Sequence, residues 1–280
     1  MTLYFVSLFK RVDYFILVKH EHSLSISIVT RAYNSSELNL LVDKLSMNDE
    51  TKIEIIAVCK NVDKKYSGVN IIQENSNRTE AKITGIKNAN YDRILLIDSD
   101  QFPEVGLLSE LESIKDDMVI VPERSSNKNL VGTLMDDLRD RDIAWAKKIS
   151  PIPTIPVIPR VYKKDILREI TDNLPKQTFE IQSHEDSILY FHVYKKTKNI
   201  TFSQNHIYNV DPSFSVLLKK AYTYGKYYKE ARKVTNSDEI THLIKSLNAS
   251  ALNLKERGIG IGIYLQLIRA IAYAMGELFG

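Results

Sequence analysis

The feature that most constrains this chain is an alternation. Short aliphatic and β-branched runs, Ser25–Thr30 (SISIVT), Lys52–Val58 (KIEIIAV), Val69–Ile72 (VNII) and Arg93–Ile97 (RILLI), are separated by stretches with helical spacing. Runs that stay apolar without alternating suit strands buried on both faces, as in a parallel sheet covered by helices. After the first run, Leu38, Leu41, Val42 and Leu45 recur at three- and four-residue spacing behind Asn34-Ser35-Ser36, a candidate helix N-cap. Ala81, Ile83, Ile86 and Ala89 form a weaker stripe before the fourth run. A helix around Val105 to Ile114 then leads to a further strand at Met118–Val121. The expected class is α/β: a Rossmann-like, mainly parallel sheet flanked by helices, with ligands bound at the carboxyl ends of its strands.

Beyond about Gly132 the rhythm changes. Leu134–Lys148 reads as a charged helix, and Pro151, Pro153, Pro156 and Pro159 then exclude helix and favour extended chain. The second half is expected to be α+β, laid against the sheet rather than continuing it. At 280 residues, one large domain with appendages is the natural size class. The expected division is an extension at 1–24, a core at 25–235 with halves 25–122 and 123–235, and a helical tail at 236–280. Met1–His22 is apolar but broken by Lys10, Arg11 and Asp13, which suits neither a membrane span nor a signal peptide. An added helix or strand is expected there. Gly258–Gly280 carries only Arg269 and Glu277 as charges, with glycines that weaken a helix. Two readings stand: a helix lying in a membrane surface, or one packed on the protein's own core.

Ile94-Leu95-Leu96-Ile97-Asp98-Ser99-Asp100 sets two carboxylates one residue apart where a buried strand reaches the sheet edge. If strand geometry persists, residues at i and i+2 point the same way and Asp98 and Asp100 share one site. Neighbouring carboxylates repel, and a divalent cation bridging to a diphosphate relieves that. Cys59 is the only cysteine, which rules out an internal disulfide and a multi-thiolate site, so any metal is held by oxygen with His as the remaining option. The competing reading of the pair is an acidic turn closing a strand. A phosphatase-type D-x-D ranks third, because Phe102 stands where Thr or Val is usual.

Taken in order, several segments resemble family 2 glycosyltransferases of the GT-A type. Ser27-Ile28-Val29-Thr30-Arg31-Ala32-Tyr33-Asn34 is similar to that family's opening strand and turn, which borders the nucleotide. Asn75 to Asp100 resembles its helix bearing Ala-Lys before Gly-Ile, followed by the metal-binding D-x-D. His184-Glu185-Asp186 looks like its E-D motif. The resemblance implies a GT-A-like fold whose 25–122 half binds a nucleoside diphosphate sugar and whose 123–235 half takes a hydroxyl acceptor. It implies Thr30, Arg31, Tyr33, Asn34 and Asp98 at the donor, and Mn²⁺ or Mg²⁺ on Asp98 and Asp100. Asp186 would be the base, with Glu185 as fallback, and inversion at the anomeric carbon would follow. Arg78 and Lys82, on the preceding helix, are placed to meet the diphosphate, or form a solvated basic face. His206 resembles a His that some relatives place near the metal. One departure stands out: the Asp that usually ends the second strand is replaced by Cys59-Lys60-Asn61, leaving Asn61 or Asp63 as substitutes and the base in doubt.

Leu217–Lys233 interleaves Lys219, Lys220, Lys226, Lys229, Arg232 and Lys233 with Tyr222, Tyr224, Tyr227 and Tyr228. That suits either a helix with Tyr inward and Lys outward, or a surface for anionic headgroups or a lipid-linked diphosphate. Nucleic acid is not expected, since the net charge is only +3. The expected location is cytoplasmic, peripheral at the inner face of the cell membrane. The rival functions are a sugar-phosphate nucleotidyltransferase, which usually carries a Gly-rich basic loop absent after the first strand here, and a non-catalytic sugar- or lipid-binding member of the same fold.

Overall fold

The computed structural model describes residues 25–45, 52–149, 157–234 and 260–280. The expected extension at 1–24, the prolines at 151, 153 and 156, and residues 236–259 of the tail lie outside the described residues.

Strands β1 (Ser25–Asn34), β2 (Lys52–Asn61), β3 (Val69–Gln73) and β4 (Arg93–Leu96) fall on the predicted runs and pair in parallel in the order β3-β2-β1-β4. Helix α1 (Asn39–Leu45) follows β1 through a 3-10 turn at Ser35–Leu38, and α2 (Arg78–Asn88) crosses from β3 to β4. Asn77 caps α2 with its side chain on the Glu80 N–H, and Glu80 returns a bond to the Asn77 N–H, satisfying two orphan donors reciprocally. Helix and sheet approach closely, because a Cβ at Gly85 would stand 2.4 Å from Val29 Cγ1. The sheet is buried on both faces, as its apolar runs require. Val29, Ile94 and Leu96 pack beneath Ile86, Trp145 and Tyr190, while Ile26, Ile28 and Leu95 meet Leu41, Leu107 and Leu111 on the other side.

After β4 come β5 (Gln101–Pro103), α3 (Leu107–Ser113), β6 (Met118–Ile120), β7 (Glu123–Ser125) and α4 (Leu130–Ile149). Then follow β8 (Val161–Lys163), α5 (Lys164–Asn173), α6 (Glu185–Lys196), β9 (Ile200–Phe202), β10 (Ile207–Asn209), α7 (Phe214–Val234) and α8 (Ile263–Phe279). Here the structure departs from expectation. The second half does continue the main sheet: β8 inserts antiparallel between β4 and β6, and β9 pairs in parallel with β6, giving the seven-stranded order β3-β2-β1-β4-β8-β6-β9. A separate small sheet, β5-β10-β7, stands beyond the carboxyl end of β4. The last helix packs along α7 so tightly that a Cβ at Gly225 or Gly276 would come within 1.9 Å of the facing backbone carbonyl.

Candidate active site

Asp98 and Asp100 do not continue β4. They lie in a turn, in which the Gln101 N–H donates to the Asp98 carbonyl, yet both line a cavity of about 430 Å³ at the carboxyl edge of the sheet. Asp186 enters the same cavity from the first turn of α6. The structure therefore brings together three of the residues singled out from sequence, and Arg78 makes a fourth.

Arg78 and Lys82, one turn apart on α2, face the same way. Arg78 Nη2 lies 3.1 Å from Asp98 Oδ1, its Nε 2.7 Å from Glu185 Oε1, and its Nη1 donates to the Tyr224 hydroxyl at 3.1 Å. Lys82 Nζ contacts Glu185 at 3.1 Å and Asp186. Glu185 is thus buried beneath the two cations rather than lining the cavity. Burial works to raise the Asp98 carboxyl, but Arg78, Lys82 and Arg160 outweigh it and hold it below the ordinary range. Asp186 is likewise held below the ordinary range: burial is outweighed by Lys82, Arg160 and Arg78. Asp100 behaves oppositely, because burial and the charge on Asp98 both raise it, with Lys220 Nζ 3.6 Å away as partial relief. Chemically these are two anionic groups and one reluctant one around a shared space.

A hydrogen-bonded chain not foreseen from sequence joins the two acidic motifs. The Asp98 N–H donates to Gln101 Oε1 (2.9 Å), Gln101 to Asn209 Oδ1 (2.5 Å) and Asn209 to Glu123 Oε2 (2.8 Å). Arg160 Nε donates to Glu123 Oε1 at 3.0 Å, and its Nη1 lies 3.6 Å from Asp186. The small sheet is what makes this possible, since β10 sets Asn209 opposite Gln101 and Ser125. Arg139 and Asp211 close the next wall with a two-pronged pair at 2.9 and 2.8 Å. These residues carry no local motif, and only the pairing of strands distant in sequence reveals them.

His184 precedes the E-D pair at φ 64°, the one non-glycine residue in the left-handed region among the described residues. That conformation is unfavourable for most side chains and concentrates at functional sites. The ring is anchored from α8 by Tyr273, whose hydroxyl lies 3.0 Å from Nε2, and it meets the edges of Tyr228 and Tyr273. Burial lowers its pKa to about 4.

The opening turn lies apart from this cavity. Thr30 is buried, with no partner for its hydroxyl among the described residues, Arg31 is half-buried, Tyr33 is exposed beneath the Lys60 ammonium at 5.5 Å, and Asn34 accepts from Asn61 Nδ2 at 3.1 Å. None of the four lines the cavity. Cys59 is fully buried, and Asp63 is spent on Ser35 and the Ser36 N–H, which hold its carboxyl near 2. Of the two substitutes for the missing second-strand Asp, Asn61 is the better presented. His206 is also separate. It pairs with Glu104 at 2.9 Å, next to Ile207 opposite Pro103, at the other end of the β5-β10 ladder from Gln101 and outside the cavity lining.

No cluster of three or more His, Cys, Asp or Glu suited to a metal occurs among the described residues. Asp98 and Asp100 supply two carboxylates, and burial together with the charge on Asp98 raises the proton affinity of Asp100. That donor set fits Mg²⁺ or Mn²⁺ arriving with a diphosphate, since such ions keep waters and phosphate oxygens in much of their coordination shell.

No family model and no curated protein sequence matches the chain. Solved structures do match. Staphylococcus aureus TarS 1-349 aligns with TM-score 0.50 and 15% identity over 91% of this chain and 90% of that one. The same TarS fragment in complex with UDP-GlcNAc aligns with TM-score 0.52 and 14% identity over 89% and 79%. The Pyrobaculum calidifontis mannosyltransferase PcManGT, in complex with GDP-Man and Mn²⁺, aligns with TM-score 0.54 and 13% identity over 91% and 87%. At this identity the likeness is one of fold, and the fold is the GT-A-like one.

Proposed function

We propose that this chain is an inverting glycosyltransferase that moves a sugar from a nucleoside diphosphate to a hydroxyl acceptor. One observation carries the reading: Asp98 and Asp100 from the β4 edge and Asp186 from the α6 start line one cavity. Solved structures of the same fold in complex with UDP-GlcNAc, or with GDP-Man and Mn²⁺, support it.

In this reading Asp100, with Asp98, holds the divalent ion, which offsets charge on the departing diphosphate. Tyr33, Asn34 and Asn61 border the nucleoside, with Thr30 and Arg31 behind them. Arg78 and Lys220 steady the phosphates from the cavity side. Asp186 takes the proton of the acceptor hydroxyl as it attacks. Its present ion pairs make it a weak base. A diphosphate competes for Arg78 and Arg160, and each cation it draws away from Asp186 raises that carboxylate's proton affinity, so donor binding prepares the base. Glu185, pinned beneath Arg78 and Lys82, serves to hold those cations rather than to touch substrate.

No described helix is long and apolar enough to cross a membrane. The outward face of α8 nevertheless presents Tyr264, Leu267, Ile268, Ile271, Met275 and Leu278, all exposed, at helical spacing. Such a stripe supports docking at a membrane surface, where a lipid-linked acceptor would be met.

The test is a thermal-shift and calorimetric panel of UDP-GlcNAc and GDP-mannose, with and without Mn²⁺, on the wild type, Asp100→Ala and Asp186→Asn. We expect Mn²⁺-dependent stabilisation by a nucleotide sugar, loss of that dependence in Asp100→Ala, and retained donor binding with at least about 100-fold slower transfer in Asp186→Asn. Donor binding that ignores Mn²⁺ refutes the metal assignment. Binding without transfer or hydrolysis in the wild type favours the non-catalytic alternative, and release of pyrophosphate from a nucleoside triphosphate favours the nucleotidyltransferase.

A further inference from the structure

Of the cations lining the cavity, all but one pair with an anion among the described residues. Arg78 is held by Asp98 and Glu185, Arg160 by Glu123, Arg139 by Asp211 and Lys220 by Asp100. Arg269, reaching in from α8, meets no carboxylate within ion-pair distance among the described residues. Its Nε is sealed from solvent without a hydrogen-bond partner, and its Nη1 rests 3.6 Å from the Met135 sulfur. Burial and the neighbouring charge of Arg139 work against its charged form, and Tyr224 and Asp211 favour it without offsetting them. A guanidinium nevertheless stays protonated in proteins, so the cost is borne by the fold. A cation facing a cavity with no ion-paired carboxylate among the described residues is the arrangement an anionic ligand would complete.

Position says which ligand. The groups next to Arg269 come from the second half of the chain, Met135 and Arg139 on α4, Tyr224 on α7 and Asp211 just before it, whereas no residue of the opening turn lines this cavity. An anion under Arg269 therefore lies on the second-half side of the cavity, apart from the opening turn.

We propose that the α8 end of the cavity is an acceptor subsite in which Arg269 binds an oxyanion, phosphate or carboxylate, carried by the acceptor. This rests on the glycosyltransferase reading and narrows it to anionic acceptors.

The experiment titrates glycerol 3-phosphate, glucuronate and neutral glycerol into protein saturated with UDP and Mn²⁺, using the wild type, Arg269→Met and Arg269→Lys. Saturable binding of one anionic probe but not glycerol is expected, weakened tenfold or more in Arg269→Met and partly restored in Arg269→Lys. The probe that binds separates a phosphorylated from a uronate-type acceptor. Relief of an unpaired buried charge predicts that ligand-free Arg269→Met melts no lower than the wild type, and donor affinity should not change. The proposal is overturned if neither anion binds the wild type, or if Arg269→Met binds as tightly. It also fails if that variant melts lower or does not fold, or if it loses donor affinity, which would make Arg269 a donor residue. Failure of UDP to bind at all would count against the glycosyltransferase reading instead, and the anion titrations then proceed on the free protein.

Discussion

Helices α2 and α8 each send an arginine into the same cavity, and the two arginines are treated oppositely. Arg78 is saturated, with two carboxylates and a tyrosine hydroxyl around it, whereas among the described residues Arg269 hydrogen-bonds a thioether. The side chain on α2 is part of the frame that aligns the acidic motifs. The one on α8 is held ready at a cost, as groups intended for a ligand are. A second contrast follows from how each helix reaches the E-D motif: α2 through ion pairs to Glu185 and Asp186, α8 through the neutral contact of Tyr273 with His184.

The sharpest way to break the comparison is to remove Arg78. Arg78→Met leaves Glu185, whose side chain is 5% exposed, with Lys82 as its remaining cation, and it strips Asp98 of its ion pair. Removing one partner of a buried pair costs about 3–5 kcal/mol, so urea unfolding should show a loss near the lower figure. The equivalent Met substitution at Arg269 should show none. A loss below about 1 kcal/mol at Arg78 would show that its ion pairs add little to the frame and would dissolve the distinction.

How much of this was legible beforehand follows the same line. The α2 side is local: an apolar stripe and a buried strand running into Asp98-Ser99-Asp100 can each be read within a few residues, although the capping box at Asn77 and Glu80 was not. The Rossmann-like α/β class followed from the alternation of strands and helices, and the GT-A-like form from the resemblance carried by the ordered motifs. Arg160, Glu123, Asn209 and Asp211 sit in or beside strands of three residues, whose partners are set by long-range pairing that no window detects. For the same reason the insertion of β8 between β4 and β6 was missed, and the second half was expected outside the sheet. Arg269 was visible only as a rare charge in an apolar tail. Its neighbours across the cavity, Arg139 and Asp211, become apparent only once α8 is laid on α7.

Acidity separates the two grips on the E-D motif. His184 is faced by Tyr273 of α8, Tyr228 of α7, Glu185 and Asp186 of its own helix, and Arg78 of α2, and burial dominates in lowering its pKa to about 4. Between pH 4 and the ordinary histidine value near 6.5, the unfolded chain binds the proton that the folded one refuses, so stability is complete above that range and falls as pH drops through it. The shift corresponds to at most about 3 kcal/mol. His184→Asn, which tolerates the left-handed backbone, should flatten unfolding free energy between pH 6.5 and 4.5 while leaving the losses at lower pH, where the carboxylates of the α2 network take up protons. An unchanged pH profile in His184→Asn would mean that the α8 contact does not depend on a neutral ring.

The smallest expected effect on stability concerns the outward face of the same helix. Ile271 is 62% exposed, on the stripe with Tyr264, Leu267 and Leu278, while Leu265 and Gly276 face inward against the protein. Deleting the helix would be uninformative, because it would also remove the close backbone crossing with α7 and the Tyr273 contact. Ile271→Glu touches neither, so its unfolding free energy should stay within about 0.5 kcal/mol of the wild type. A charge in the middle of an apolar stripe should nevertheless abolish flotation with vesicles containing anionic lipid, because it replaces buried apolar area with a desolvation cost. Flotation that survives in Ile271→Glu but disappears at high salt would move the membrane contact from α8 to the lysines of α7, and no flotation of the wild type would remove the membrane from the account while leaving the cavity and its two arginines as they stand.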